Sequence, residues 1–182
     1  MSFQQHWAEL QRNGNLVEIH ILPEEDHLYS TCRILGVGEE WSRLAVFDPN
    51  FGFDGFRLLR NSAPFKMRYE TESLIRLSAR IAGDTAFAFD DLPGGPLTME
   101  SFLACSTVAK SLVEIAAAHE IHMGNVCDYN EDCIVLHEFD EDHLTCDGKL
   151  LIRTDDIDYF AVHTQYLAVR EKAARSLDAL NA

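Results

Sequence analysis

Between Asp128 and Asp158 the chain carries eleven carboxylates against two cations, Lys149 and Arg153. Eight of the eleven form the candidate acidic face: Asp128, Glu131, Asp132, Asp140, Glu141, Asp142, Asp155 and Asp156. Carboxylates at that density either solvate turns or present a face to a basic protein, whose approach an opposite potential accelerates. A calcium loop needs alternating oxygen ligands and a Gly, and no run here has that pattern. His119 and His122 form a His-x-x-His pair with Cys127, Cys133, His137, His143 and Cys146 nearby. Zinc takes thiolates and imidazoles that converge tetrahedrally. Paired Cys-x-x-Cys spacing is missing, and two His three apart on a strand point to opposite faces. Cys32, Cys105 and Cys127 lie among apolar neighbours and are expected to fill core space. No Gly-x-Ser-x-Gly elbow offers a nucleophile, and Pro93-Gly94-Gly95-Pro96 lacks the Lys and Thr of a phosphate loop. The expectation is a chain with no catalytic residues, no metal and no cofactor, hence not an enzyme. Phe47, Phe51, Phe53 and Phe56 cluster around Asp48 and Asp54. They either close one end of the core or leave Phe51 or Phe53 as an exposed anchor, since interfaces are rich in aromatics.

Composition narrows the partners. The 182 residues hold fifteen Lys and Arg against thirty Asp and Glu, a net charge of −15. That balance disfavours nucleic acid and anionic lipid, which both draw on a surplus of cations. Apolar residues at 47 % and charged residues at 25 % match a globular protein, and no apolar run is long enough to span a bilayer. Five cysteines without a dense framework read as reduced thiols. With no basic-then-apolar leader after Met1, the expected location is cytoplasmic.

The chain also resembles itself. Leu16-Val17-Glu18-Ile19 recurs as Leu112-Val113-Glu114-Ile115. Leu44, Phe47 and Asp48 recur as Leu136, Phe139 and Asp140, 92 positions on. Asp54-Gly55, Leu58, Arg60, Thr71 and Leu74 recur at an offset of 93 as Asp147-Gly148, Leu151, Arg153, Thr164 and Leu167. Order is kept, and the offset changes only where loops tolerate insertions. This is a tandem duplication.

The elements repeat with it. Phe3, Trp7 and Leu10 mark an amphipathic helix that Asn13-Gly14-Asn15 ends. Strands are expected over 16–22, 28–37, 43–47, 56–59 and 65–69, then a helix over 71–81 capped by Thr71. The second half predicts a helix over 98–110, strands over 112–117, 121–128, 133–139, 149–153 and 159–163, and a helix over 164–180. The fold class is therefore mainly β with flanking helices: two small, strongly bent barrels in tandem. Residues 1–83 form the first unit and 98–182 the second. Phe87, Phe89 and Leu92 are expected to dock the 84–97 linker, fixing the halves relative to each other. Asp54-Gly55 and Asp147-Gly148 are expected as tight turns with Gly at positive φ.

Gly124 on a bent strand, the acidic turn Asp128–Asp132, the apolar strand Cys133–Leu136 and Ile152-Arg153 before Ile157 together resemble the Sm-like small barrel. The match covers roughly 112–163 and, more faintly, 16–69. It is similar to bacterial proteins that carry such a barrel followed by a helix. The resemblance implies RNA binding through an Asn after the acidic turn and an Arg-Gly pair. Here Asp132-Cys133 stand at the Asn position, Thr154 follows Arg153, and Cys32 stands where Gly124 does. The preferred expectation is a non-enzymatic protein-interaction or adaptor module, such as an immunity-type inhibitor of a basic protein. The alternative is an RNA-binding protein in which three tandem chains mimic a six-membered ring, with Arg57, Arg60, Lys66, Arg68 and Arg153 as local cations.

Overall fold

The computed structural model describes residues 3–21, 29–48, 50, 52–82, 98–109 and 111–181. The first half runs α1 (Phe3–Asn13), β1 (Leu16–His20), β2 (Ser30–Val37), β3 (Trp41–Phe47), β4 (Phe53–Arg60), β5 (Lys66–Tyr69) and α2 (Glu72–Ala82). The second runs α3 (Met99–Ala109), β6 (Val113–Ala117), β7 (Glu120–Tyr129), β8 (Cys133–Asp140), β9 (Thr145–Arg153), β10 (Ile157–Val162) and α4 (Gln165–Asn181). The protein is mainly β with flanking helices. No helix among the described residues is long and apolar enough to cross a membrane. The 84–97 linker, including its expected docking, lies outside the described residues.

Local chemistry sets the helix ends. In α1, Trp7 and Leu10 are buried, and Gly14 closes the helix at φ 66°. Its N–H reaches the Gln11 carbonyl at 3.0 Å, and Asn15 N–H reaches Leu10 at 3.2 Å, satisfying carbonyls the helix would otherwise orphan. Thr71, Thr98 and Thr164 each accept the N–H three residues on, from Leu74, Ser101 and Leu167. Leu74, Leu77 and Ile81 bury one face of α2 as the periodicity predicts.

All ten strands join one antiparallel sheet in the order β5-β1-β2-β3-β4-β10-β6-β7-β8-β9. Each half repeats one plan, with its fifth strand beside its first. The expectation of two self-contained barrels needs one correction: neither half closes on itself. The edge of β4 is taken by β10 of the other half, pairing Leu59 with Tyr159, Leu58 with Phe160, Arg57 with Ala161 and Phe56 with Val162. An edge strand carries a row of unmet N–H and C=O groups, and a strand from the sister half meets them. Leu58 and Phe160 are 1 % and 0 % exposed at this junction. Burying one such side chain contributes roughly 2 kcal/mol. The largest core cluster draws on both halves, from Leu16, Trp41 and Leu58 to Ile115, Ile134 and Phe160, so the halves are fixed relative to each other.

The correspondence between the halves extends to the irregularities. Leu35 is extra in β2 between the pairs Ile34–Leu44 and Gly36–Arg43, and Cys127 is extra in β7 between Val126–Leu136 and Asp128–Val135. In β4, Asp54 and Gly55 oppose Val46 alone, and in β9, Asp147 and Gly148 oppose Glu138 alone. Gly55 and Gly148 do take positive φ, 89° and 79°. They form bulges inside strands, however, and not the tight turns expected. Asp-Gly is a local turn signal, but the long-range pairing on both sides of it keeps the strand running.

Candidate functional site

Arg60, the last residue of β4, holds three turns together. Its Nε donates to the Ile157 carbonyl at 2.8 Å and Nη2 to the Thr154 carbonyl at 2.6 Å. Nη1 meets Glu40 at 2.5 Å, and the guanidinium lies 4.6 Å from the Trp41 ring centre. Thr154 in turn donates its N–H to Asp132 and its hydroxyl to Glu131, at 3.0 and 2.6 Å. Asn61 anchors the β2–β3 turn, donating to the Gly38 and Glu39 carbonyls and accepting from the buried Ser42 hydroxyl. Ser42 itself accepts the Trp7 indole N–H at 2.7 Å.

These turns and the start of α3 wall a cleft of ≈ 660 Å³. Glu39, Glu40, Glu100, Glu131 and Asp155 line it, and Arg60 is its one cationic lining residue among the described residues. Because Arg60 already donates to two carbonyls and a carboxylate, the cleft presents an excess of negative charge. Glu39, Glu40 and Glu100 escaped the sequence reading. A signal existed for the first two: the correspondence of β2–β3 with β7–β8 sets Glu39 and Glu40 at the places of Glu131 and Asp132.

The eight expected acidic residues do not form one face. Asp128 near the end of β7, with Glu131, Asp132, Asp155 and Asp156 in the adjoining turns, lies at the Cys133 end of β8, whereas Asp140, Glu141 and Asp142 stand at its other end. Closeness in sequence is undone by the length of the strand between them. The second group is also occupied. Asp140 accepts the N–H groups of Asp142 and His143 and pairs with the His143 ring at 2.8 Å. The hydrogen bonds from His143 hold its carboxyl below the ordinary range. Glu141 accepts from the Tyr166 hydroxyl at 2.6 Å and from Arg170 at 2.8 Å.

Phe51 lies outside the described residues. Phe53 is half-buried against the core, its ring 4.9 Å from Phe56 and 6.5 Å from Phe47. Among the cysteines, Cys32 is buried, and burial pushes its thiol up to about 12. Cys127 is exposed, correcting the expected core position, because the β7 bulge turns it outward. His119 sits at φ 69° before β7, while His122 on β7 lies between Glu120 and Glu138 at 3.8 and 3.7 Å.

Several of the cations expected for RNA are committed elsewhere. Arg57 donates to the Ser30 hydroxyl at 2.6 Å, stacks 4.0 Å over Tyr159 and lies 3.8 Å from Glu114. Tyr159 donates to the same Glu114 at 2.7 Å, and burial raises its phenol above the ordinary value. Arg68 pairs with the buried Glu18 at 3.4 Å. A smaller hollow of ≈ 160 Å³ beside Arg57 is walled by Ile19, Ile21, Tyr29, Ile121 and Tyr159. No family model, curated protein or solved structure matches the chain.

Proposed function

We propose that the chain is a duplicated Sm-like module with a non-enzymatic role, binding a protein partner through the acidic cleft between its halves. The repeated strand order and the two pairs of equivalent bulges support the Sm-like reading. One observation carries the function: five carboxylates from four separate segments converge on a concave site whose cation, Arg60, is already hydrogen-bonded. The occupant that fits is a segment bearing Lys or Arg. A concave low-dielectric wall focuses the field of such a cluster, raising both encounter rate and discrimination. RNA is disfavoured at the same place, since a phosphate would meet Glu39, Glu131 and Asp155 while Arg57, Arg60 and Arg68 serve other partners.

A fluorescent Lys/Arg-rich peptide, titrated at several salt concentrations, tests this reading. Binding is expected to weaken steeply with salt and to fall about tenfold in Glu131→Gln/Asp155→Asn, a loss of ~1.4 kcal/mol. Glu120→Gln/Asp142→Asn, which removes the same charge elsewhere, is expected to bind nearly as the parent does. Equal losses in the two double variants would reduce the effect to net charge and overturn the cleft as the site.

A further inference from the structure

We infer that the hollow beside Arg57 is a second binding site, for a small organic amine: an apolar body about the size of one aromatic ring, carrying an ammonium group that meets the Asp158 carboxylate. The hollow straddles the halves, with Ile19, Ile21 and Tyr29 on one side and Ala116, Ile121 and Tyr159 on the other. Tyr29 and Ile121 stand 51 % and 61 % exposed at its rim, while Ile19 and Tyr159 are buried. Apolar surface left open in a concave place, on strands that both halves hold fixed, is surface a ligand can cover without rearranging the fold. The volume of ≈ 160 Å³ sets the size of the occupant, because an apolar cavity of about 150 Å³ takes a benzene ring.

Charge selects the ammonium. Arg57 is engaged before any ligand arrives: it donates to Ser30, stacks over the Tyr159 ring and lies beside Glu114, which also accepts the Tyr159 hydroxyl. Its Nε has no partner among the described residues but is buried, out of a ligand's reach. Asp158 is the opposite case. It is half-buried, borders the hollow and accepts no hydrogen bond among the described residues, with His119 and Arg60 acting on it only across space. Burial raises its carboxyl above the ordinary range, so the ionised group weighs against the fold until a cation compensates it. Glu120 adds a second carboxylate at the rim.

Asp158 reaches the hollow by a departure from the repeat. Neighbours on a strand point to opposite faces. Asp158 and Tyr159 nevertheless both border the hollow, because the β10 bulge inserts Asp158 between the pairs Ile157–Ala117 and Tyr159–Ala116. The equivalent pairing of β5 with β1 runs from Val17–Tyr69 to His20–Lys66 without a shift. The lip carries strain as well. Ala118 and His119 turn β6 into β7 at φ 50° and 69°, a region that is costly for a residue with Cβ. The Ala118 N–H ties this turn to the Asp156 carbonyl at 3.1 Å, and His119 borders the hollow. A carboxylate re-aimed by a bulge and a strained turn thus meet at one apolar hollow, where packing alone requires neither.

Three ligands that share one ring test this site: benzylamine, benzyl alcohol and benzoate, titrated into the full chain near neutral pH and followed by the NMR signals of Tyr29 and Ile121. The amine is expected to bind about tenfold tighter than the alcohol, and benzoate to bind weakest. Asp158→Asn is expected to bring the amine down to the alcohol and to leave the alcohol unchanged. Ile121→Ser, at an exposed position, is expected to weaken both alike. Asp142→Asn, which removes the same charge elsewhere, is expected to change neither. Peptide capture by the acidic cleft is expected to survive Asp158→Asn and Ile121→Ser, so the two readings fail separately. Shifts that bypass Tyr29 and Ile121, an amine that binds no tighter than the alcohol, or benzoate binding tightest would each overturn the inference. So would an amine preference that persists in Asp158→Asn, or equal losses in Asp158→Asn and Asp142→Asn, which would reduce the effect to net charge.

Discussion

The two halves follow one plan of strands and bulges, yet they solve the same positions with different chemistry. Ser42, buried in the first half and bonded to Trp7 and Asn61, has Ile134 as its counterpart in the second, equally buried and apolar. Cys32 in β2 has Gly124 as its counterpart in β7, where a Cβ would stand 2.3 Å from the His137 carbonyl oxygen. The backbones of β7 and β8 thus approach more closely than the repeat alone implies, because only Gly leaves that space. Where the halves meet, β4 is buried by β10, while its sister β9 has no second strand neighbour among the described residues. Between the halves, then, the bulges of β2 and β4 match those of β7 and β9 more closely than the side-chain chemistry does: the bulges dictate register, and register dictates which faces are buried.

The largest expected effect separates the two bulge glycines. Gly55→Ala drives a Cβ against the Val162 and His163 backbone at 2.5–2.7 Å in a residue at φ 89°. It is expected to cost about 3 kcal/mol or more, from clash and left-handed strain together. Gly148→Ala meets open space at φ 79°. It should cost the isolated chain about 1 kcal/mol, the conformational part alone. Denaturant melts of the two variants measure the difference, and equal costs would mean that the junction contributes nothing to the Gly55 position.

Next in size is the arginine of the same repeat. Arg60→Ala removes charged donors from the Thr154 and Ile157 carbonyls and opens the cleft wall. The expected loss is about 2 kcal/mol, the scale of hydrogen bonds to a charged group. Arg153→Ala, at an exposed position, is expected to stay within about 0.5 kcal/mol when the chain is dilute. Chemical unfolding at low protein concentration checks both.

These contrasts mark what sequence could and could not tell. The four described α-helices and ten strands were legible in outline, because period and caps are local: Thr71, Thr164 and Gly14 act where their types predict, whereas β4 and β9 run on through the Asp-Gly expected as turns. The repeated strand order of the two halves was foreshadowed by Leu-Val-Glu-Ile and Asp-Gly. The partner of β4 was not, since alternation says which side chains point inward but never which strand lies alongside. The candidate site failed for a related reason. Asp140 and Glu131 are near in sequence yet lie at opposite ends of β8, while Glu39 and Glu100 reach Glu131 only through folding. Their convergence depends on Arg60 bridging two halves, and its one trace in the sequence was the repeat that pairs Arg60 with Arg153.

The smallest expected effect lies at Asp158, the extra residue of β10 between the pairs Ile157–Ala117 and Tyr159–Ala116. Its counterpart in the first half is Phe65. Burial raises the Asp158 carboxyl above the ordinary range, with His119 and Arg60 opposing that shift. A carboxyl whose folded pKa lies above its unfolded value holds its proton more tightly in the native state. The stability this gives is present in full below the unfolded value and is lost as pH rises through the folded one. At neutral pH the ionised Asp158 therefore weighs against the fold, by an amount that solvent reaching the side chain keeps small. Asp158→Asn is expected to raise the melting temperature slightly at pH 7, with the gain shrinking to nothing as pH falls below the ordinary carboxylate range. Melting curves over that span check the sign. A lowered melting temperature at pH 7 would mean that the attraction of His119 and Arg60 outweighs burial, making the charge at this bulge part of what holds the junction.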